Sequence, residues 1–393
     1  MRRLLALGAL YLAQGLPFGF FTQALPVKMR AAGVSLELIG LSSLLALPWA
    51  LKFLLAPTLD RAPSRRAWIL PLQAASALGL FALSFAPDDA WALLLAAFFV
   101  TNLLAAAQDV ATDGLAVDVL DRAQRGLGNG VQVAGYRVGM ILGGGVLLVA
   151  MGALGWAVTL RLLALALALT TLPALALREP PRRPAAAAPA RRALREALRR
   201  PGAATWLGLL IVYKLGDALA TSMLRPMLVD RGLDVAEVGV VLGEVGFGAG
   251  LVGALLGGAL VGPLGRGRAL AGFAALQAVG LGGYAWLATQ PDTALLHVVV
   301  GAEHLFAGMA TAALFTCMMD ACRADHAATD YTLQACAVVI STGVGAALAG
   351  ALAATFGYAG LFTLAAFVGA LAALLSTGLR RRAFASLNPG ACP

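Results

Sequence analysis

The chain is a succession of apolar runs, each about long enough to cross a bilayer, parted by short polar loops. The runs cover roughly 4–27, 35–57, 67–86, 90–118, 127–152 and 155–177, then 204–227, 236–262, 269–289, 293–321, 328–355 and 358–379. A hydrocarbon core takes about 20 helical residues to cross. Backbone groups inside it must be paired within a helix or a closed barrel. The pattern therefore predicts an all-α membrane protein of about twelve spans. Composition agrees: 60% of the 393 residues are hydrophobic and 12% charged, against about 45–50% and about 25% in soluble domains. Arg2-Arg3 ahead of an apolar run imitates a signal peptide, but no small-residue cleavage site follows, and the run reads as the first span. No segment is left for a soluble catalytic domain, so no enzyme is expected. Cys317, Cys322, Cys336 and Cys392 form no C-x-x-C pair, so neither a disulfide framework nor a zinc site is expected. No cofactor and no metal are implied.

The net charge of +9 raises the question of nucleic acid, and the positions of the cations answer it. Arg2, Arg3, Arg61, Arg65, Arg66, Arg122, Arg125, Arg266, Arg268, Arg323 and Arg380 to Arg382 fall in loops on one side, and the linker Arg178–Pro201 adds eight arginines. Lys28, Arg30, Arg225 and Arg231 fall on the other. This is the positive-inside pattern. It puts both termini in the cytoplasm and requires no nucleic-acid partner. The linker divides the chain into six-span halves, 1–177 and 204–382, joined by 178–203 and followed by a tail, 383–393. It reads as a solvated tether; a second reading makes Arg191–Arg200 a basic amphipathic helix on the membrane surface. Trp68, Trp91, Trp156, Trp206 and Trp286 fall near span ends, where an interfacial belt is expected.

Charges inside a bilayer are costly and functional by default. Lys52 follows Pro48-Trp49 in the second span. Asp109 and Asp113, four apart, share a helix face in the fourth. Arg137 follows Tyr136 in the fifth. Lys214 and Asp217 are placed to pair across one turn of the seventh. Glu244 lies in the eighth, and Glu303 and His304 in the tenth, His304 pointing a different way around the helix. Asp113, Asp118 and Asp320 also read as helix ends paired with loop arginines. The cations suit substrate carboxylates or phosphates, Arg137 best because its fork is bidentate. Tyr11, Gln14, Trp49, Tyr136 and Tyr213 supply stacking and hydrogen bonds for sugar rings, or simply pack. The glycine clusters Gly126-x-Gly128-x-Gly130, Gly143-Gly144-Gly145 and Gly246-x-Gly248-x-Gly250 follow no strand and read as close helix contacts.

Six plus six spans with a basic middle loop is the plan of the major facilitator superfamily. The loops Asp60-Arg61-Ala-Pro-Ser-Arg65-Arg66 and Gly262-Pro-Leu-Gly-Arg266-Gly-Arg268 resemble its short cytoplasmic motif in both halves. The stretches AQGLPFGFFTQALPV (13–27), LPWALKFLLAPTLDR (47–61), AQDVATDGLAVDVL (107–120), RGLGNGVQVAGYRVGMILGGG (125–145) and YKLGDALA (213–220) resemble the AmpG family of muropeptide permeases, relatives of the acetyl-CoA transporters. So do the surroundings of Glu303 and the segment Ala328-Thr329-Asp330-Tyr331-Thr332, although Asp330 stands where that family often has Gln. Known members are longer, with extra hydrophobic helices.

The resemblance implies proton-driven uptake of anhydromuramyl peptides across a bacterial inner membrane. Carried over by position, its polar residues are Gln14, Lys52, Asp109, Asp113, Arg137, Lys214, Asp217 and Glu303. Asp109, Asp113, Asp217 and Glu303 are the candidate proton carriers. Gln14, Trp49, Lys52, Tyr136, Arg137, Tyr213 and Lys214 are the candidate substrate contacts. The expected partners are an anionic glycopeptide or similar small molecule, protons and the lipid bilayer, around a monomer. The alternatives are a carrier of another bulky anion (a coenzyme A thioester, a sugar phosphate, a siderophore) and, more remotely, a membrane-embedded prenyltransferase-like enzyme. Gln108-Asp109-x-x-x-Asp113 is one residue too long for the latter's usual motif, and no second aspartate-rich helix accompanies it. A non-transporting scaffold has no use for the buried charges.

Overall fold

The computed structural model describes residues 2–34, 42–177, 179–181, 190–233, 235–290 and 294–379. The tail 383–393 with Cys392, and Arg178, Arg182, Arg183 and Arg380 to Arg382, lie outside the described residues. Among those described, all regular structure is helical. The helices are α1 (Arg2–Ala31), α2 (a broken helix over 42–60), α3 (Arg66–Leu83), α4 (Trp91–Val119), α5 (Arg125–Leu154), α6 (Trp156–Leu175), α7 (Ala190–Arg199), α8 (Ala203–Asp230), α9 (Glu237–Leu264), α10 (Arg266–Leu287), α11 (Leu296–Asp320) and α12 (Ala327–Leu379). Among the described residues ten are long and apolar enough to cross a membrane: α1, α3 to α6 and α8 to α12. The 53 residues of α12 would make a rod of about 80 Å, more than twice a hydrocarbon core. It breaks at Gly357, whose φ of 68° takes it out of the helical region into one open mainly to glycine.

Local chemistry explains the irregular elements. Pro48 and Pro57 lack the amide that continues a helix, and α2 is accordingly a chain of short turns: Ser42–Ala46, Leu47–Leu51, Lys52–Leu54 and Ala56–Asp60. Wide π-helical turns interrupt three spans, at Phe20–Ala24 after Pro17 in α1, at Ile141–Val146 in α5 and at Val240–Gly246 in α9. The second contains the Gly143-Gly144-Gly145 cluster, and the third ends at Gly246, the first glycine of Gly246-x-Gly248-x-Gly250.

The chain folds as two compact units. The first comprises Met1–Leu120, Ala134–Ala193 and Arg323–Thr332; the second comprises Asp121–Val133, Leu194–Cys322 and Leu333–Pro393. Each half of the sequence thus lends the start of one helix, α5 or α12, to the other unit. The first core joins Phe20, Leu80, Phe98, Trp156, Leu160 and Leu163; the second joins Leu224, Leu228, Tyr284, Val300 and Phe362. Lipid is as apolar as leucine, so helices in it associate through close packing, and small residues allow that approach. A Cβ on Gly135 would stand 2.7 Å from the Gly8 carbonyl oxygen, pinning α5 to α1, and one on Gly130 would stand 2.7 Å from that of Ala254, pinning the start of α5 to α9. Trp68 and Trp286 are exposed as an interfacial belt requires, but Trp156 and Trp206 are buried. Trp206 donates to Gln334 at 2.6 Å, so for these two packing prevailed over an interfacial position.

The two arginine loops hold corresponding ion networks. In the first unit Arg65, fully enclosed, donates to the Leu59 carbonyl at 2.7 Å, to Asp60 at 2.7 Å and to Asp118 at 3.3 Å. Asp60 in turn accepts the first-turn amides of α12, from Ala328 at 3.0 Å and Thr329 at 2.8 Å. In the second unit Asp320, at the end of α11, takes Arg266 at 2.9 Å and Arg125 at 2.8 Å. Asp118 and Asp320 therefore pair with loop arginines as the sequence predicts; Asp113 does not.

Candidate functional site

The first cluster lies on α1, α2 and α4. The break in α2 turns Lys52 inward, and it pairs with Asp109 while its Nζ stays 3.9 Å from Asp113 Oδ2. The i, i+4 spacing predicted that Asp109 and Asp113 share a face, and both meet this one ammonium group. Asp113, instead of meeting a loop arginine, accepts the Tyr11 hydroxyl at 2.9 Å. Lys52, Asp109 and Asp113 are all at least nine-tenths buried. Trp49 lies with its ring 5.7 Å from Lys52 Nζ and donates to Asn102 at 3.2 Å. Phe18 stacks edge-on to Trp49 and faces Tyr136, with centroids 5.6 and 5.8 Å apart. Arg137 is half-buried beside Tyr136. Gln14 is buried, and its Nε2 meets no hydrogen-bond acceptor among the described residues. The cluster thus combines two carboxylates, one ammonium and a phenol, next to an aromatic wall and an unused amide.

The second cluster lies on α8 and α11. Lys214 pairs with Asp217 one turn along, as the sequence predicts, and also reaches Thr311 at 3.3 Å. Tyr213 is buried and donates to the backbone carbonyls of Leu270 at 3.1 Å and Ala310 at 3.4 Å, so its hydroxyl ties helices together. Glu303 is enclosed and accepts the Tyr284 hydroxyl at 2.9 Å. His304 does not point away from it: its Nδ1 lies 3.2 Å from Glu303 Oε2 and 3.1 Å from the Tyr284 oxygen. Glu244 is exposed on the π-turn of α9. Asp330 receives Arg323 through both guanidinium branches, at 2.8 and 2.6 Å. The acid that departs from the family's pattern therefore has a cation of its own. The described cysteines Cys317, Cys322 and Cys336 are buried thiols.

Sequence reasoning missed Tyr284, Thr311 and Asn102. None belongs to a charged pattern, and each acquires its role only when a second helix packs against it.

Ten helices long and apolar enough to cross a membrane among the described residues, with ion pairs among them, are the build of a polytopic membrane protein. The sequence profile of the Major Facilitator Superfamily matches residues 7–341, and the chain belongs to that superfamily of transporters. It is 34% identical over 339 residues to the anhydromuropeptide permease of Escherichia coli K12, covering 82% of this chain and 68% of that one. It is therefore a member of the AmpG-like permeases. It is also 25% identical to the putative transporter AmpG 4 of Rickettsia conorii, over 92% of each chain. Among solved structures, the human organic anion transporter MFSD10 shares the fold with a TM-score of 0.75 at 15% identity, over 95% of this chain and 99% of that one.

Proposed function

We propose that the protein imports anhydromuramyl peptides across a bacterial inner membrane in symport with protons. Both termini lie in the cytoplasm, and the halves 1–177 and 204–382, linked by 178–203, alternate access to the substrate. The observation that carries the coupling is the Lys52–Asp109–Asp113 cluster. Two carboxylates face one ammonium group at membrane depth, and a single added proton brings the cluster to neutrality. An acidic substrate that draws Lys52 away leaves both carboxylates without their cation, so substrate binding favours proton uptake. Arg137 and Lys214 serve the substrate's acidic groups, and Trp49, Tyr136 and Gln14 its sugar and peptide. The relative at 34% identity supports the substrate class.

Uptake of labelled anhydromuramyl tripeptide into vesicles carrying the protein, with and without a proton gradient, tests this reading. Gradient-dependent accumulation is expected. Folded protein that takes up none of the label would remove the muropeptide assignment and leave a carrier of another bulky anion.

A further inference from the structure

We infer that Glu303, Tyr284 and His304 form a second proton-holding relay, with His304 as its port. The proposal rests on the coupled-transport reading only for its physiological use; the relay itself stands on geometry within the second unit. Glu303 is 0% exposed and His304 18%, so of these two side chains only the imidazole has surface at which a proton can be exchanged. One carboxyl oxygen, Oε1, meets no donor among the described residues. A buried ionised carboxylate needs its oxygens met, whereas a neutral acid tolerates one bare oxygen far better.

The hydrogen bonds fix the starting arrangement. His304 Nδ1 lies 3.0 Å from the Val300 carbonyl oxygen, which can only accept, so Nδ1 carries the hydrogen and Nε2 has the lone pair. The Tyr284 oxygen lies 2.9 Å from Glu303 Oε2 and 3.1 Å from His304 Nδ1, within reach of both. Transfer then balances without any further group. Nε2 takes a proton from water, Nδ1 gives its own to Oε2, and the Tyr284 hydroxyl turns from the carboxylate to the vacated Nδ1. The imidazole ends neutral as the other tautomer, and the carboxyl ends protonated.

The packing holds these atoms in place. A Cβ on Gly280 of α10 would stand 2.9 Å from Glu303 Cα, and one on Gly246 of α9 would stand 2.9 Å from His304 Nε2. The backbone of α11 therefore meets α10 at Gly280 with no room for a methyl group, and the His304 ring tip lies against Gly246 of α9. Around the relay, α10 brings the Tyr284 phenol and α8 brings Asp217 as the further acid on that side, while α9 presents the apolar Gly246 and the second half of α12 the Phe362 ring, 5.7 Å from that of Tyr284.

Infrared difference spectroscopy of the purified full chain in lipid, titrated with acid in the absence of substrate, reads the relay directly. Wild type is expected to show a protonated-carboxyl band that is lost in Glu303→Gln, and Tyr284→Phe should shift its frequency. In His304→Gln, deuterium exchange of that acid should slow. A band that survives in Glu303→Gln, or stays unshifted in a folded Tyr284→Phe protein, overturns the relay. Because no solute is present, a failed muropeptide uptake assay leaves this result untouched, and each proposal can fail alone.

Discussion

Tyr11 donates its hydroxyl to Asp113, while Lys52 on the other side of that carboxylate pairs with Asp109. The two acids are therefore not equivalent: Asp113 keeps a neutral partner when the ammonium group moves, whereas Asp109 is ion-paired to that ammonium group itself. Asp109→Asn should bring proton-driven accumulation down to the level reached without a gradient. Counterflow exchange of the same substrate should persist, with normal amounts of protein in the membrane. Full accumulation in that variant would remove Asp109 from the coupling step.

The same geometry separates the cation from the acids in stability. Lys52→Ala leaves two carboxylates at membrane depth without their ammonium group, and breaking a buried pair by removing one partner costs about 3–5 kcal/mol. Asp109→Asn leaves Lys52 within 3.9 Å of Asp113 and should cost clearly less. Thermal unfolding in detergent should rank wild type first, Asp109→Asn next and Lys52→Ala last. Adding Asp109→Asn and Asp113→Asn to Lys52→Ala should restore part of the loss. An equal fall for both single variants would contradict the shared-ammonium arrangement.

Asp60 joins a buried arginine to the start of a helix that is distant in sequence, accepting from Arg65, Ala328 and Thr329. An N-terminal cap is worth about 0.5–2 kcal/mol, and hydrogen bonds to a charged group about 1.5–3 kcal/mol. Asp60→Ala should therefore lower stability by several kcal/mol and raise amide exchange at Ala328 and Thr329. Arg65→Lys should not rescue function like a conservative change, because three acceptors are arranged around the guanidinium fork. Hydrogen exchange read by mass spectrometry checks the first expectation, and transport by Arg65→Lys vesicles the second.

Glycine placement gives a paired control. Gly130→Ala would set a methyl against the Ala254 carbonyl oxygen, whereas nothing stands within 4 Å of a Cβ at Gly248. Overpacking costs about 1–3 kcal/mol, and a helical glycine replaced by alanine in open space gains up to about 1 kcal/mol. The melting temperature should fall for the first variant and hold or rise for the second. A fall of equal size for both would contradict the open space around Gly248.

The apolar runs made the spans legible because bilayer thickness sets a length that composition alone can meet. The spacing of Asp109 with Asp113, and of Lys214 with Asp217, was legible because both pairs lie on single helices. Contacts between helices were not. Tyr284 becomes the partner of Glu303 only through the close approach of α10 at Gly280. His304 is turned toward the acid by a backbone carbonyl and a phenol that no local pattern announces. Pro48 and Pro57 stand inside the apolar run 35–57, which by itself predicts one continuous span; neither the break of α2 nor its aiming of Lys52 at both aspartates follows from that run. The start of α12 joining the first unit through Asp60 is a long-range event that neither half encodes by itself.

Lys28 and Asp88 give the pH prediction. Lys28, near the end of α1, meets the Asp88 carboxylate at 2.8 Å and lies over the Trp156 ring at 4.7 Å. Asp88 sits in the loop before α4, outside the spans. The Lys28 hydrogen bond, then its charge, hold the Asp88 carboxyl below its ordinary value of 3.8. A depressed carboxyl stabilises the folded form above that ordinary value, and the stabilisation fades as pH falls through the folded value. Asp88 is largely exposed, with 62% of its side chain accessible, so solvent screening keeps the contribution within about 1 kcal/mol. Asp88→Asn should therefore melt slightly below wild type at neutral pH, and the two should converge in acid. Raising salt at neutral pH should narrow the same gap. A gap that persists unchanged in acid and in high salt would assign the contact to the Lys28 stem packed on Trp156 instead of to its charge.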